Sequence, residues 1–190
     1  MIVQGEFTFS GPRETVWDLL HDPGVLSKAL PGAQRLTGAG NDKFEGIMVV
    51  GVGPVTAGEF SVSVALTDQT RPEHFGMQVE GKGAVGFARG QARVELAEAP
   101  EGGTTMRYHA DLQIGGKIAG LGQRVLDSAS RTMTRQGLEA LKRELERRLT
   151  AAPAGEAPTA QGGRRALLHF VAVAAILLVA LMFTCRIVFS

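Results

Sequence analysis

Cysteine is nearly absent from this chain. Cys185 is the only one in 190 residues, which excludes a disulfide framework and a thiolate metal centre. Aromatics make up only 6% and the net charge is +1. With no basic stripe interleaved with aromatics, nucleic acid is not an expected partner. The histidines, His21, His74, His109 and His169, have no metal-ligand spacing with one another or with a carboxylate. No G-x-S-x-G, Cys/His arrangement or carboxylate dyad is present, so the chain reads as a non-enzyme with no metal site. Residues 1–6 (MIVQGE) have neither the basic nor the apolar part of a secretory leader.

What the chain does have is a long apolar run near its end. Residues 166–185 read ALLHFVAVAAILLVALMFTC, without a formal charge. As a helix this run would span ~30 Å, the hydrocarbon thickness of a bilayer. Arg164 and Arg165 precede it and Arg186 follows it, where long cationic side chains reach headgroups. A buried soluble helix would show a polar stripe, and this run has none. The expectation is a C-terminal tail anchor, a single-pass span of the cytoplasmic membrane. The excess of cations before it places the N-terminal domain in the cytoplasm. The chain then divides into a domain at 1–149, a Pro/Gly/Ala linker at 150–165, the span at 166–185 and a short tail at 186–190.

Within the domain, residues 1–9 alternate as a strand, and Ser10-Gly11-Pro12 reads as a helix start with Val16, Leu19 and Leu20 on its buried stripe. A second short helix is expected at 25–30. Residues 33–115 alternate apolar and polar through about six more strands, the signature of an antiparallel sheet with one wet face. Residues 117–149 switch to helical spacing, with Leu121, Val125, Ala129, Met133, Leu138, Leu141, Leu145 and Leu149 as the expected stripe. The only element long enough to cover the sheet is that last helix. The expected architecture is α+β and helix-grip: a curved antiparallel sheet of about seven strands around a long C-terminal helix.

Gly81-Lys82-Gly83-Ala84-Val85-Gly86 spells G-x-G-x-x-G, but period-two residues follow it. A dinucleotide site needs a helix there, so the segment reads as a glycine-rich hairpin. Met48, Val50, Phe60, Val62, Phe75, Met77, Met106 and Tyr108 share the face turned to the long helix, with Leu121 and Val125 opposite. That stripe is either ordinary core or a pliable apolar pocket in which Tyr108 orients a ligand.

Several motifs resemble the CoxG family, the G-type subunits of carbon monoxide dehydrogenase, within the START/Bet v 1-like (SRPBCC) superfamily. They are Val3-Gln4-Gly5-Glu6-Phe7, Pro12-Arg13-Glu14-Thr15-Val16-Trp17, Leu30-Pro31-Gly32 and Gly51-Val52-Gly53-Pro54-Val55. The run at 81–90 (GKGAVGFARG) and Gly115-Gly116-Lys117-Ile118-Ala119 complete the set. The resemblance covers about residues 1–149. It implies a non-catalytic accessory of molybdenum hydroxylases of the aerobic CO dehydrogenase type, which brings the enzyme to the membrane and binds a lipidic quinone. It implies no intrinsic cofactor, since no ligand set for molybdenum, flavin or an iron–sulfur cluster is present. The pocket mouth or docking face is assigned to the glycine segments carrying Gly51, Gly53, Pro54, Gly81, Lys82, Gly83, Gly86, Phe87 and Arg89. Two other readings stay open: an enzyme of the same fold, cyclase- or hydrolase-like, and a membrane tether that binds nothing.

Overall fold

The computed structural model describes residues 1–40, 42–52, 55–100 and 102–151, with backbone only at 50–52 and 55–57. The expected linker and span, with Arg164, Arg165, Cys185 and Arg186, lie outside the described residues, as do Gly53 and Pro54. No helix among the described residues is long and apolar enough to cross a membrane.

Seven antiparallel strands form one sheet in the order β1-β7-β6-β5-β4-β3-β2. They are β1 (Ile2–Phe9), β2 (Ala33–Gly40), β3 (Lys43–Val52), β4 (Val55–Thr70), β5 (His74–Gly83), β6 (Gly86–Glu98) and β7 (Thr104–Gly116). The two-residue side-chain period puts Phe44, Phe60, Val62, Val64, Phe75, Met77, Val94 and Leu112 on the buried face. Between them, Lys43, Glu45, Ser63, Gln78, Glu80 and Gln91 face water. Each fully buried Phe, Leu or Met contributes ~1.5–3 kcal/mol, so this alternation fixes the register of every strand.

The helices α1 (Arg13–Leu20) and α2 (Pro23–Ala29) link β1 to β2. The sequence points to Ser10 as the cap of α1, but Pro12 holds that position without a side-chain cap. The Ser10 hydroxyl instead reaches Glu146 at 3.4 Å. Helix α2 is capped as expected for an Asx residue: Asp22 accepts from the backbone N–H of Gly24 at 2.9 Å and of Val25 at 3.2 Å.

The helix expected at 117–149 is divided. Lys117–Leu121 forms a 3-10 turn, and α3 runs from Gln123 to Ala151. Gly116 and Gly122, with φ of 85° and 84°, break the helix at both ends of that turn. Gly116 pairs with Gly86 across β6 and β7. A Cβ on Gly116 would lie 3.0 Å from the Val85 carbonyl oxygen and against the Gly86 Cα. The two glycines let the chain cross the β5–β6 hairpin closely, where the Ile118 N–H donates to Val85 O at 3.2 Å.

The far end of α3 is fixed by charge. Arg148 donates to Asp22 at 2.6 Å and to Glu144 at 3.2 Å, joining the cap of α2 to the last turns of α3. Burial alone would raise the Asp22 pKa, but Arg148 and the two capping N–H groups outweigh it and hold it below the usual range. Hydrogen bonding from Arg147, then Arg148, holds Glu144 at about 2.

Gly116→Ala tests the crossing. Gly116, at φ 85° and ψ −161°, occupies a region open essentially only to glycine, so a side chain there costs ~1–3 kcal/mol, and the clash with Gly86 adds to it. Thermal unfolding is expected to show a fall of at least about 2 kcal/mol. The same change at Gly120, where a Cβ meets nothing within 4 Å, is expected to be near neutral.

Candidate functional site

The apolar stripe expected from the sequence largely converges. Met48, Phe60, Val62, Phe75, Met77 and Met106 are all buried on the inner face of the sheet. Adjacent strands hold them side by side, with Met48 opposite Phe60, Leu66 opposite Met77 and Leu96 opposite Met106. From above, α3 contributes Leu126, Met133, Leu138 and Leu141, and α1 contributes Trp17 and Leu20. Met48, Met77, Met106 and Met133 are four of the six methionines in the chain. Unbranched thioethers re-pack at low cost, so this face can give way to an incoming group.

Three residues of the expected stripe sit differently. Val125 is 40% exposed and points away from the sheet, while Leu126 takes the inward position. Steps of four wind about 40° round the helix each, so Val125, two steps before the buried Met133, lies off the buried face that Ala129 and Met133 share. Leu121 is half-buried in the 3-10 turn. Tyr108 faces inward but folds over Gly5 of β1, its paired residue, so the absent Cβ makes room for the ring. Among the described residues no hydrogen bond reaches its hydroxyl, and burial raises its pKa. The side chain of Val50 lies outside the described residues.

Sequence pattern did not mark two polar atoms in this core. The Trp17 indole N–H, with the residue 1% exposed, and the Thr134 hydroxyl, with the residue 3% exposed, have no hydrogen-bond partner among the described residues. Ser130, one turn earlier on α3, donates to the Asp127 carbonyl at 2.9 Å and is satisfied. An unpaired buried donor costs ~1–3 kcal/mol, and neither atom finds an acceptor among the described residues. Around Thr134 the buried face of α3 is lined by Ala129, Ser130 and Gly137, leaving its bulk to Leu138, Leu141 and Leu145 further on.

Trp17 stacks on His21 with ring centroids 4.3 Å apart, and Phe75 meets both edge-on. His21 Nδ1 lies 2.7 Å from the Trp17 carbonyl, which can only accept, so Nδ1 carries the proton. Burial is the main reason its pKa falls to about 4, and Arg71 adds to the shift.

At the tip, Gly81 and Gly83 close β5 with Lys82 between them, and Gly86, Phe87 and Arg89 open β6. The sheet continues through this G-x-G-x-x-G segment, so no helix opens on it. Phe87 is 38% exposed on the outer face across from Gly115, with the Arg89 guanidinium 5.8 Å from its ring centroid. Gly51 belongs to β3. The outer face also carries an open hollow of about 920 Å³ lined by Lys43, Glu45, Glu80, Arg89 and Asp111. Its polar walls suit water or a protein surface rather than an apolar ligand. Among the described residues no group of His, Cys, Asp or Glu side chains could hold a metal ion.

The family model for CoxG, the G-type subunit of carbon monoxide dehydrogenase, matches residues 5–146. The chain belongs to the CoxG family. Its fold is START/Bet v 1-like, as solved structures independently indicate. A conserved protein from Geobacillus kaustophilus is 27% identical with a TM-score of 0.74, over 77% of this chain and 96% of that one. A START superfamily protein from Mycobacterium smegmatis has a TM-score of 0.61 at 10% identity, over 77% and 97%. A protein from Rhizobium leguminosarum has a TM-score of 0.58 at 13% identity, over 77% and 95%. The last two likenesses speak to fold alone. No curated protein matches the chain. In this CoxG protein the two motifs at 81–90 and 115–119 are the crossing that carries the sheet into α3.

The buried histidine sets a pH dependence. Its folded pKa of about 4 lies below the ordinary 6.5, so the unfolded chain takes up the proton first as pH falls. The stabilisation is whole above pH 6.5 and is lost between there and about 4, at ~1.4 kcal/mol per unit, or about 3 kcal/mol in all. Chemical unfolding at pH 7 and pH 4.5 measures this loss. In His21→Gln the same pH step is expected to have a much smaller effect, and an unchanged pH dependence would assign it to other groups.

Proposed function

We propose that this chain is a membrane-tethered accessory subunit that holds a lipidic quinone between α3 and the sheet and recruits a molybdenum hydroxylase of the CO dehydrogenase type. The observation that carries the ligand half is that the Trp17 N–H on α1 and the Thr134 hydroxyl on α3 are both buried with no partner among the described residues. A quinone offers carbonyl oxygens as acceptors for the Trp17 N–H and the Thr134 hydroxyl, and an apolar ring and tail for the methionine-rich wall. The fit is chemical: two donors, no fixed charge and pliable surroundings. The recruitment half rests on the family, whose name is that of a dehydrogenase component, and on the apolar run at 166–185. The quinone, when bound, supplies an electron-accepting ring. The chain's own residues bind and orient it and keep water from it.

Thr134→Val separates binding from folding. Replacing an unpaired buried hydroxyl with a methyl of similar shape is expected to raise the stability of the ligand-free protein by about 1 kcal/mol. The same change should weaken binding of ubiquinone or menaquinone about fivefold to tenfold, measured by ligand-dependent thermal shift and by lipid mass spectrometry of the purified protein. A less stable variant with unchanged quinone affinity would overturn this assignment.

Recruitment is tested in cells. Deleting residues 164–190 should move the partner hydroxylase from the membrane fraction to the soluble fraction. An undisturbed membrane pool would remove the tether from the proposal.

A further inference from the structure

The solvent face of α3 carries charge in a pattern that neither ligand binding nor the tail explains. Arg124, Arg131, Arg135 and Lys142 are spaced by seven, four and seven residues, each close to a whole number of helical turns. They form one row of about 27 Å along the helix, turned away from Leu126, Met133, Gly137 and Leu141. The three arginines are exposed or half-exposed and Lys142 half-buried. Among the described residues none of the four makes an ion pair, whereas Arg147 and Arg148 further on are committed to Glu144 and Asp22. Acidic groups near the row are Asp127, held by Gln123 at 2.8 Å, and Glu139 and Glu146 towards the C-terminal half.

The rest of the domain has the opposite sign. Residues 123–151 hold seven Lys and Arg against four Asp and Glu, a net +3. Residues 1–122 hold ten against fourteen, a net −4. The domain is polarised across its thickness, with the helix as its positive side. At the N-terminal end of the row, Val125 is exposed and Leu121 half-exposed, beside the crossing of Gly86 and Gly116.

We infer that α3 lies flat on an anionic bilayer, its arginine row on lipid headgroups and Val125 at the interface. This rests on the reading of residues 166–185 as a span. Under that reading the length of the chain permits the posture and the arginine row favours it. Helix α3, of 29 residues, is about 43 Å long. Fourteen residues, 152–165, separate it from the apolar run, a maximum reach of about 48 Å. An upright helix anchored from Ala151 would hold Leu121 and Val125 about 40 Å or more from the lipid, and a helix lying down brings both ends and the whole row to the surface. The same tether favours lipid over an acidic protein as the occupant, because it keeps the row within reach of one bilayer. Each cation near an anionic surface strengthens attachment about fivefold.

The test uses the full chain in vesicles, with Cys185→Ser and one reporter cysteine carrying an environment-sensitive dye. The reporter is Ser128→Cys beside the row, or Ser63→Cys on the outer sheet face as control. In vesicles of phosphatidylcholine with phosphatidylglycerol, the 128 dye is expected to shift blue and to be quenched by spin-labelled lipid. Pure phosphatidylcholine or high salt should abolish the effect, and the 63 dye should not respond in any vesicle. Reversing Arg124, Arg131 and Arg135 to Glu should lower the docked population on the order of 100-fold, while circular dichroism and quinone binding stay unchanged. Flotation with pure phosphatidylcholine reports the tail separately, so a soluble tail and an undocked helix are different failures. A 128 dye that stays in water on anionic vesicles, or quenching that survives charge reversal, would overturn the proposal. Protection by the hydroxylase in place of lipid would assign the row to that partner and overturn it equally.

Discussion

A seven-stranded sheet with one apolar face must have that face covered, and among the described residues α3 is the only element long enough to do it. The sheet supplies Phe60, Phe75 and Met77 from below, and α3 closes over them with Leu126, Met133 and Leu141. The cover is fixed at its two ends by different physics. At one end two glycines allow a backbone crossing too close for any side chain, and Ile118 packs beneath it. At the other, Arg148 ties α3 to the cap of α2 at Asp22. Between these anchors the buried face of α3 carries Ala129, Ser130, Met133, Thr134 and Gly137, with leucines from Leu138 onward. On the proposed function, the small and polar residues of this stretch are where the cover gives way to a ligand.

The inner and outer sides of α3 then carry different recognition. Inward, the buried residues are mostly apolar, and the Trp17 N–H and the Thr134 hydroxyl, on which the proposed quinone site rests, have no partner among the described residues. Outward, an unpaired row of cations is set on a domain whose remainder is acidic. The two sides share one backbone, so the rotation of the helix that buries Met133 also points Arg124, Arg131 and Arg135 to solvent. Pairing does not quench this row, because the acids nearest the arginines are few and Asp127 is engaged by Gln123. The negative charge of the domain lies instead largely on the strands, where Glu80, Asp68 and Glu6 already hold Lys82, Arg93 and Arg107.

The sheet was legible in the sequence because its signal is local. Phe60, Val62 and Val64, or Met106, Tyr108 and Ala110, show their facing within five residues, and burial on one side enforces it. The long helix was legible in existence and, from Ala129 to Leu145, in phase, but not at its ends, where Val125 and Leu149 are exposed. Steps of four turn about 40° each, so Val125, two steps before Met133, lies off the buried face and Leu126 is the inward residue. Glycine runs announced turns, but which glycine would cross which depended on strand register, and Gly86 meets Gly116 only once β6 and β7 are paired. Trp17 and Thr134 gave no warning at all. Whether a polar atom is satisfied is a property of its neighbours in space, and Thr134 differs from Ser130 only in finding no carbonyl. Tyr108, the polar contact that the sequence did suggest, is drawn to the β1 edge because Gly5 leaves it room.

On the proposed posture, with α3 against lipid, the surface left to a protein partner is the outer side of the sheet, where Lys43, Glu45, Glu80, Arg89 and Asp111 surround a broad polar hollow. That surface is of mixed sign, with Glu80 held by Lys82 and Arg89 by Gln113, so it favours specificity over long-range attraction. The row on α3 has the opposite character: one sign, unpaired and long in reach, suited to a surface without fixed geometry. The two faces therefore suit different surfaces, because one mixes signs around a shaped hollow and the other presents a single sign along a row.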